Sequence, residues 1–228
     1  MLSKKQEKLI RSLNTKKGRQ KNGLCLVDNL KVLDSLPESQ ILFTFNSKDT
    51  PLFDKLVTVE TPRDKAAVVS IPRYQEADIQ NNSTWIVLDG IQNPGNMGAI
   101  FRLALGFNAT LILAESTDPS SPKVIRSSAG AFFQVPWIPK NRNEIGPWLT
   151  KQKRAIYRLE SPKPNKKALL LNHKIELPKP LILIVGSEGQ GILLKTKGTV
   201  LTIPHDKNLE SLNVTHSLAI VLHHLYQT

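Results

Sequence analysis

The sequence predicts an α/β protein in two parts. A small N-terminal α+β domain covers residues 1–71, a polar linker follows over 72–84, and residues 85–228 form a mostly parallel sheet with helices on both faces. Three observations support this. From Trp85 onward, apolar runs of strand length alternate with amphipathic stretches, the pattern of βα units. Those runs are continuous, as in strands covered on both faces. Pro72 to Thr84 breaks the pattern with Gln75, Gln80, Asn81 and Asn82.

The elements follow in order. A basic helical start leads to Leu24-Cys25-Leu26-Val27, a short strand. Leu30, Leu33 and Leu36 then lie at helical spacing. Ile41 to Phe45, Leu56 to Val59 and Ala66 to Val69 read as three further strands. In the second part, Trp85 to Leu88 is a strand. Met97, Ile100, Phe101, Ala104 and Leu105 then sit at i, i+3, i+4, i+7 and i+8, one face of a helix over Gly95 to Gly106. Thr110 to Leu113 is a strand, and Pro122 to Gly130 is helical. Ala155 to Leu159, Leu181 to Val185 and Val200 to Ile203 are strands, and a final helix runs from about Ser211.

Composition narrows the function. Thirty-one Lys and Arg against 19 Asp and Glu give a net charge of +12. Residues 1–31 hold nine basic and two acidic side chains, net +7; residues 140–174 hold ten and two, net +8, leaving −3 for the rest. Solubility explains net charge but not clustering. Two basic segments on a near-neutral body point to a polyanion partner. No apolar stretch approaches the ~20 residues of a membrane helix, and the basic N-terminus lacks the apolar core of a secretory signal. The single Cys25 excludes an intrachain disulfide.

Three loops follow three strands, where open parallel sheets bind ligands. The first, Asn93-Pro94-Gly95-Asn96-Met97-Gly98, leads into the helix carrying Arg102. Arg102 lies off the apolar stripe, either facing a ligand or as a solvated charge on a capped helix. The second, Gly186-Ser187-Glu188-Gly189-Gln190-Gly191, brings backbone N–H groups close to any ligand, or is a plain glycine turn. Its G-x-x-G-x-G order is neither the dinucleotide fingerprint nor a P-loop. Glu188 within it can orient a cation or accept a proton. The third runs from Ile203-Pro204-His205 to Glu210-Ser211-Leu212-Asn213-Val214. Capping explains Ser211 but not Asn213, which reads as one turn inside the helix. His216, His223 and His224 lie opposite the final helix's stripe of Leu218, Ala219, Leu222, Leu225 and Tyr226. No carboxylate or cysteine joins them at ligand spacing, so no metal is expected. H-E-x-x-H, G-x-S-x-G and C-x-x-C are absent.

Four segments carry a resemblance: LDGIQNPGNMGAIFRLA (Leu88 to Ala104), DPSSPKVIRSSAGAFFQVP (Asp118 to Pro136), LILIVGSEGQGI (Leu181 to Ile192) and LTIP…ESLNVTHSLAIVL (Leu201 to Leu222). In order and separation they resemble the signature motifs of the SpoU (TrmH-type) RNA ribose 2′-O-methyltransferases of the knotted methyltransferase superfamily. The likeness covers about residues 85–228. GRQKNGLCLVDNLKVLDSL (Gly18 to Leu36) and TPRDKAAVVSIPR (Thr61 to Arg73) are more weakly similar to that family's substrate-binding domain, which resembles small ribosomal RNA-binding proteins.

The resemblance implies a deep trefoil knot, against the general packing rule. It also implies S-adenosyl-L-methionine held mainly by backbone groups, an obligate homodimer and a cytoplasmic enzyme. Gly186, Ile203 and Leu212 are then cofactor-binding, and Arg102, Asn96, Glu188, Ser211 and Asn213 form the catalytic set. A guanidinium with a pKa above ~12 is a poor base, so Arg102 is expected to clamp a phosphate and stabilise charge. Asn213 and Ser211 position it or the ribose, and Glu188 orients Arg102 or Asn96. The two-domain layout resembles rRNA-modifying members. The alternatives are a tRNA ribose 2′-O-methyltransferase and a non-catalytic RNA-binding or ribosome-assembly factor. The chain departs from the family's pattern at Asp28-Asn29, where Glu-Gly is frequent, a change expected to touch RNA specificity only. It departs again at His205-Asp206-Lys207-Asn208, which is expected to alter the lip of the cofactor pocket.

Overall fold

The computed structural model describes residues 1–57, 65–80, 83–161 and 167–227. In chain order the elements are α1 (Lys4–Leu13), α2 (Lys16–Asn22), β1 (Leu24–Val27), α3 (Leu30–Asp34), β2 (Ile41–Asn46), α4 (Phe53–Leu56), β3 (Lys65–Ser70), β4 (Thr84–Asp89), α5 (Pro94–Gly106), β5 (Ala109–Ala114), α6 (Pro122–Ser127), β6 (Trp137–Lys140), α7 (Arg142–Thr150), β7 (Ala155–Leu159), β8 (Leu169–Leu170), β9 (Leu181–Gly186), β10 (Thr199–Thr202) and α8 (Val214–Gln227). The chain forms two compact units, one of Met1–Pro72 with Asp118–Gln134, the other of Arg73–Thr117 with Val135–Thr228.

In the first unit, β3 is the centre of an antiparallel sheet ordered β1-β3-β2. Its Ala66 to Val69 are all buried, as a central strand requires. Helix α1 starts at a capping box: Gln6 N–H donates to Ser3 Oγ at 3.3 Å and Ser3 N–H to Gln6 Oε1 at 2.9 Å. Its Ile10 and Leu13 then pack with Leu26, Phe45, Phe53 and Leu56. The strand expected at Leu56 to Val59 does not begin there, because Leu56 ends α4; Thr58 and Val59 lie outside the described residues. Cys25 is buried, and that burial pushes its thiol upward, away from a nucleophile's range.

Two ion pairs bind Asp118–Gln134 into this unit. Arg19, 4% exposed, donates to Asp118 Oδ2 at 2.5 and 3.0 Å and to the Leu13 carbonyl at 2.7 Å. Arg126 of α6 meets Asp28 at 2.7 Å, so the Asp28 departure has a structural partner beyond RNA specificity. The structure groups the chain differently from 1–71, 72–84 and 85–228, with Asp118–Gln134 in the first unit, where it pairs with Arg19 and Asp28. Arg19→Met should cost about 3–5 kcal/mol, the scale of stripping one partner from a buried pair. A denaturant midpoint giving a loss under about 1 kcal/mol would instead assign the pair to the solvent-screened class.

The second unit contains an all-parallel sheet ordered β6-β5-β4-β9-β7-β10-β8. Every residue of β4 and β5 is buried, the outcome for strands covered on both faces. The expected linker is not free: Ile79 is fully buried and its carbonyl accepts Trp85 Nε1–H at 3.0 Å, docking this stretch on the core. Trp85 stacks on Trp148 at 5.2 Å, with Arg154 over one face at 4.0 Å and Lys140 over Trp148 at 4.4 Å.

Candidate active site

The glycine-rich turn leaves the sheet at Gly186. It closes through Gly191 N–H to the Ser187 carbonyl at 2.8 Å, with Gly191 at φ +66. A Cβ on Gly186 would lie 2.1 Å from the Gly191 carbonyl carbon and 2.4 Å from Ile192 N, so only glycine fits this approach. Beyond the turn, Leu193 and Leu194 N–H donate to Asp89 Oδ2 at 2.6 and 2.7 Å.

The last helix begins later than the sequence suggests. Asn213 is its cap, with Oδ1 accepting from Thr215 N–H at 2.9 Å. Capping therefore belongs to Asn213, not Ser211, which is exposed. Val214, Leu218, Val221, Leu222 and Leu225 form the buried stripe of α8, while Tyr226 and Ile220 are exposed. The stripe differs from the one expected: Val214 and Val221 are buried in it, whereas Ala219 is half-buried and Tyr226 is exposed, with its ring 5.8 Å from that of Phe107.

A cavity of about 440 Å³ opens at the carboxyl ends of β7, β9 and β10. Gly186, Ile203 and Leu212 all line it, together with Glu188 and Ser211. Sequence reasoning missed Leu159, Glu160 and Ser161, which the end of β7 adds to the lining. An apolar run ending in a polar residue was the available signal. Glu160 is paired with Arg158 at 2.6 Å, and Arg158 also donates to the Leu194 and Thr196 carbonyls. His205 lines the same cavity with Nδ1 2.8 Å from the Ile203 carbonyl.

Three of the five expected catalytic side chains form one cluster. Glu188 Oε1 accepts from Asn96 Nδ2 at 2.8 Å and from Asn213 Nδ2 at 2.5 Å, and Asn213 Nδ2 lies 3.5 Å from Asn96 Oδ1. Arg102 does not join them. It is exposed on α5, six residues beyond Asn96, which is about 9 Å of rise and about 120° of rotation. It makes no hydrogen bond or ion pair among the described residues. Ser211 is on the cavity wall but outside the cluster.

The profile of the SpoU rRNA methylase family matches residues 83–223. A Synechocystis protein named an uncharacterized tRNA/rRNA methyltransferase is 30% identical over 174 residues, 74% of this chain and 62% of its own length. A 23S rRNA (guanosine-2′-O)-methyltransferase of Bacillus subtilis is 29% identical over 180 residues, 76% of this chain and 68% of its own. The chain thus spans under two thirds of the length of the first and slightly more of the second. A crystal structure of an AdoMet-bound rRNA methyltransferase from Sinorhizobium meliloti has the same fold. It gives a TM-score of 0.82 at 22% identity and covers 100% of this chain and 96% of that one. By sequence profile and fold together, the chain belongs to the SpoU rRNA methylase family.

Proposed function

We propose that the protein methylates a ribose 2′-hydroxyl in structured RNA, with rRNA as substrate, using S-adenosyl-L-methionine. The observation carrying this is the convergence of Gly186, Ile203 and Leu212 on one cavity, with Glu188 on its wall bonded to Asn96 and Asn213. The cavity suits the cofactor. Its volume is within the usual ~300–1,000 Å³ of small-molecule sites. Leu159, Val185, Ile192 and Val214 supply an apolar lining for a flat base, and the Gly186–Gly191 turn brings backbone polar groups beside them. The Sinorhizobium enzyme of the same fold is AdoMet-bound, and the Bacillus relative is named for 23S rRNA 2′-O-methylation. When bound, the cofactor supplies an electrophilic methyl group.

The residues of the chain supply geometry and charge. Glu188 and the two amides lock the three loops together, so that reactants are held rather than captured by chance. Arg102, unpaired and solvent-facing, grips an RNA phosphate in two-pronged fashion and stabilises the developing alkoxide. Ser211 faces the cavity and positions the ribose. The trefoil threading is part of this reading, supported by the strand order, in which β9 lies between β4 and β7 and β10 between β7 and β8. A cytoplasmic setting is part of it too; among the described residues no helix is long and apolar enough to cross a membrane.

RNA affinity is assigned to the first unit. Lys4, Lys5, Lys8, Arg11, Lys16, Lys17, Lys21 and Lys31 are exposed and have no carboxylate partner among the described residues. The segment 140–174 contributes less than its charge suggests: Lys140, Arg142, Arg154 and Arg158 are engaged internally. Replacing Lys16, Lys17 and Lys21 with Gln should weaken RNA binding and flatten the salt slope by about 0.7–0.9 per lost phosphate contact. Arg19 is excluded from that set because it is buried. An unchanged slope would return the cluster to solubility.

The homodimer also belongs to this reading. Ile220, Tyr226 and Leu105 leave apolar surface exposed on α5 and α8. Light scattering should give twice 25.4 kDa; a monomer at assay concentration contradicts it. The function itself is tested by calorimetry with S-adenosylmethionine and by tritium transfer to bulk rRNA and tRNA. Binding with transfer to rRNA is the expected result. No heat at millimolar cofactor with RNA present overturns the reading, and transfer to tRNA alone moves the substrate.

A further inference from the structure

Residue 89 anchors both ends of the cofactor turn. The chain leaves the sheet at Gly186, whose Cα is registered opposite Asp89 in the β4–β9 pairing. It returns at Leu193 and Leu194, whose N–H groups donate to Asp89 Oδ2 at 2.6 and 2.7 Å. Asp89 is also the last residue of β4, at the root of the loop that leads into α5, whose first turn carries Asn96. Its side chain is fully buried, and its other oxygen, Oδ1, takes the Arg142 guanidinium at 2.9 Å from both Nε and Nη2. One carboxylate thus accepts three N–H hydrogen bonds and pairs with the Arg142 Nη2 beside them, the arrangement in which a buried charge is compensated. Arg142 stands at the first turn of α7, an element far in sequence from either loop.

We propose that Asp89 and Arg142 are positioning residues of the methyl-transfer site. They close the Glu188-bearing turn onto the root of the β4–α5 loop, and so set both the cavity wall and the Asn96–Glu188–Asn213 cluster. The inference rests on the cofactor reading above. Neither residue lines the cavity, so their effect is transmitted through the turn.

The chemistry of an amide makes this testable. In Asp89→Asn the side-chain carbonyl can still accept the two backbone N–H groups, but the NH₂ then faces the guanidinium, donor against donor. In the double variant Asp89→Asn with Arg142→Gln, the Gln carbonyl can accept that NH₂. Calorimetry with S-adenosylmethionine, at a temperature where melting curves show each variant folded, should give a dissociation constant at least tenfold weaker for Asp89→Asn. RNA affinity should be unchanged, and the double variant should recover most of the lost cofactor affinity. Native cofactor affinity in Asp89→Asn overturns the proposal. So does a double variant no better than the single, since a role in stability alone predicts additive loss. If Asp89→Asn does not fold, Arg142→Gln is decisive: cofactor affinity weakened at least threefold supports the proposal and native affinity overturns it. The wild-type titration separates the two levels. Heat in the wild type with no loss in the variants removes only this inference, whereas no heat in the wild type removes the cofactor reading and this inference with it.

Discussion

Arg102→Ala should reduce single-turnover methylation by at least ~10², the scale of losing one oriented transition-state donor, while cofactor affinity stays native. The side chain is exposed on α5, opposite Met97, Ile100, Phe101 and Ala104, which are buried, so its removal opens no core cavity and should change stability by less than about 0.5 kcal/mol. Cofactor binding should persist because Gly186, Ile203 and Leu212 line a cavity that Arg102 does not enter. Arg102→Lys should rescue poorly, since a single ammonium cannot reproduce a two-pronged phosphate grip. Single-turnover rate beside cofactor affinity for the same variant is the deciding pair. A native rate makes Arg102 a solvated helix charge. Loss of the cofactor as well gives it a structural role, and the mechanism then rests on Asn213 and Glu188.

Gly186→Ala should abolish measurable cofactor binding. The new methyl group would overlap the Gly191 carbonyl and the Ile192 nitrogen, at 2.1–2.4 Å. All of these are backbone atoms, so no rotamer change relieves the clash. The Ser187–Gly191 bridge must open, and Glu188 moves with it. Overpacking of this kind costs about 1–3 kcal/mol, small enough for the chain to fold. Gly189→Ala is the stability control, because a Cβ there meets no atom within 4 Å. Calorimetry showing native affinity in Gly186→Ala would mean that the turn opens without consequence for the cavity.

Much of the second unit is legible because its physics is local. Trp85 to Leu88 and Leu181 to Val185 are unbroken apolar runs, and the α5 stripe has clean helical spacing. Other elements escape for equally physical reasons. Helix α7 carries Gly146 and Pro147, which read as breakers, yet Ile145 and Leu149 bury its inner face. Strand β8 is two residues long, too short to show a period. Strand β6 contains Pro139, which demotes it in any pattern. The cap of α8 is misassigned to Ser211 from the sequence because Ser211 and Asn213 are both good caps, and only the hydrogen bond from Thr215 separates them. The candidate site is legible loop by loop, since each loop follows a strand. The pairs that join distant segments, Asp89 with Arg142, Arg19 with Asp118 and Asp28 with Arg126, leave no periodic trace.

The first unit draws on the middle of the chain for Asp118–Gln134, and this bears on how it is made. On a ribosome emitting the chain from its N-terminus, Arg19 and Asp28 emerge about a hundred residues before their partners. Until those arrive, the nascent unit holds two charges it cannot bury, so its completion waits for synthesis past residue 134. The intervening β4, α5 and β5 are by then already out. The N-terminal unit is therefore expected to complete its packing only after residue 134 has been made. A fragment ending at Pro72 should be expressed as an incompletely folded species, whereas one carrying residues 118–134 on a short bridge should be soluble.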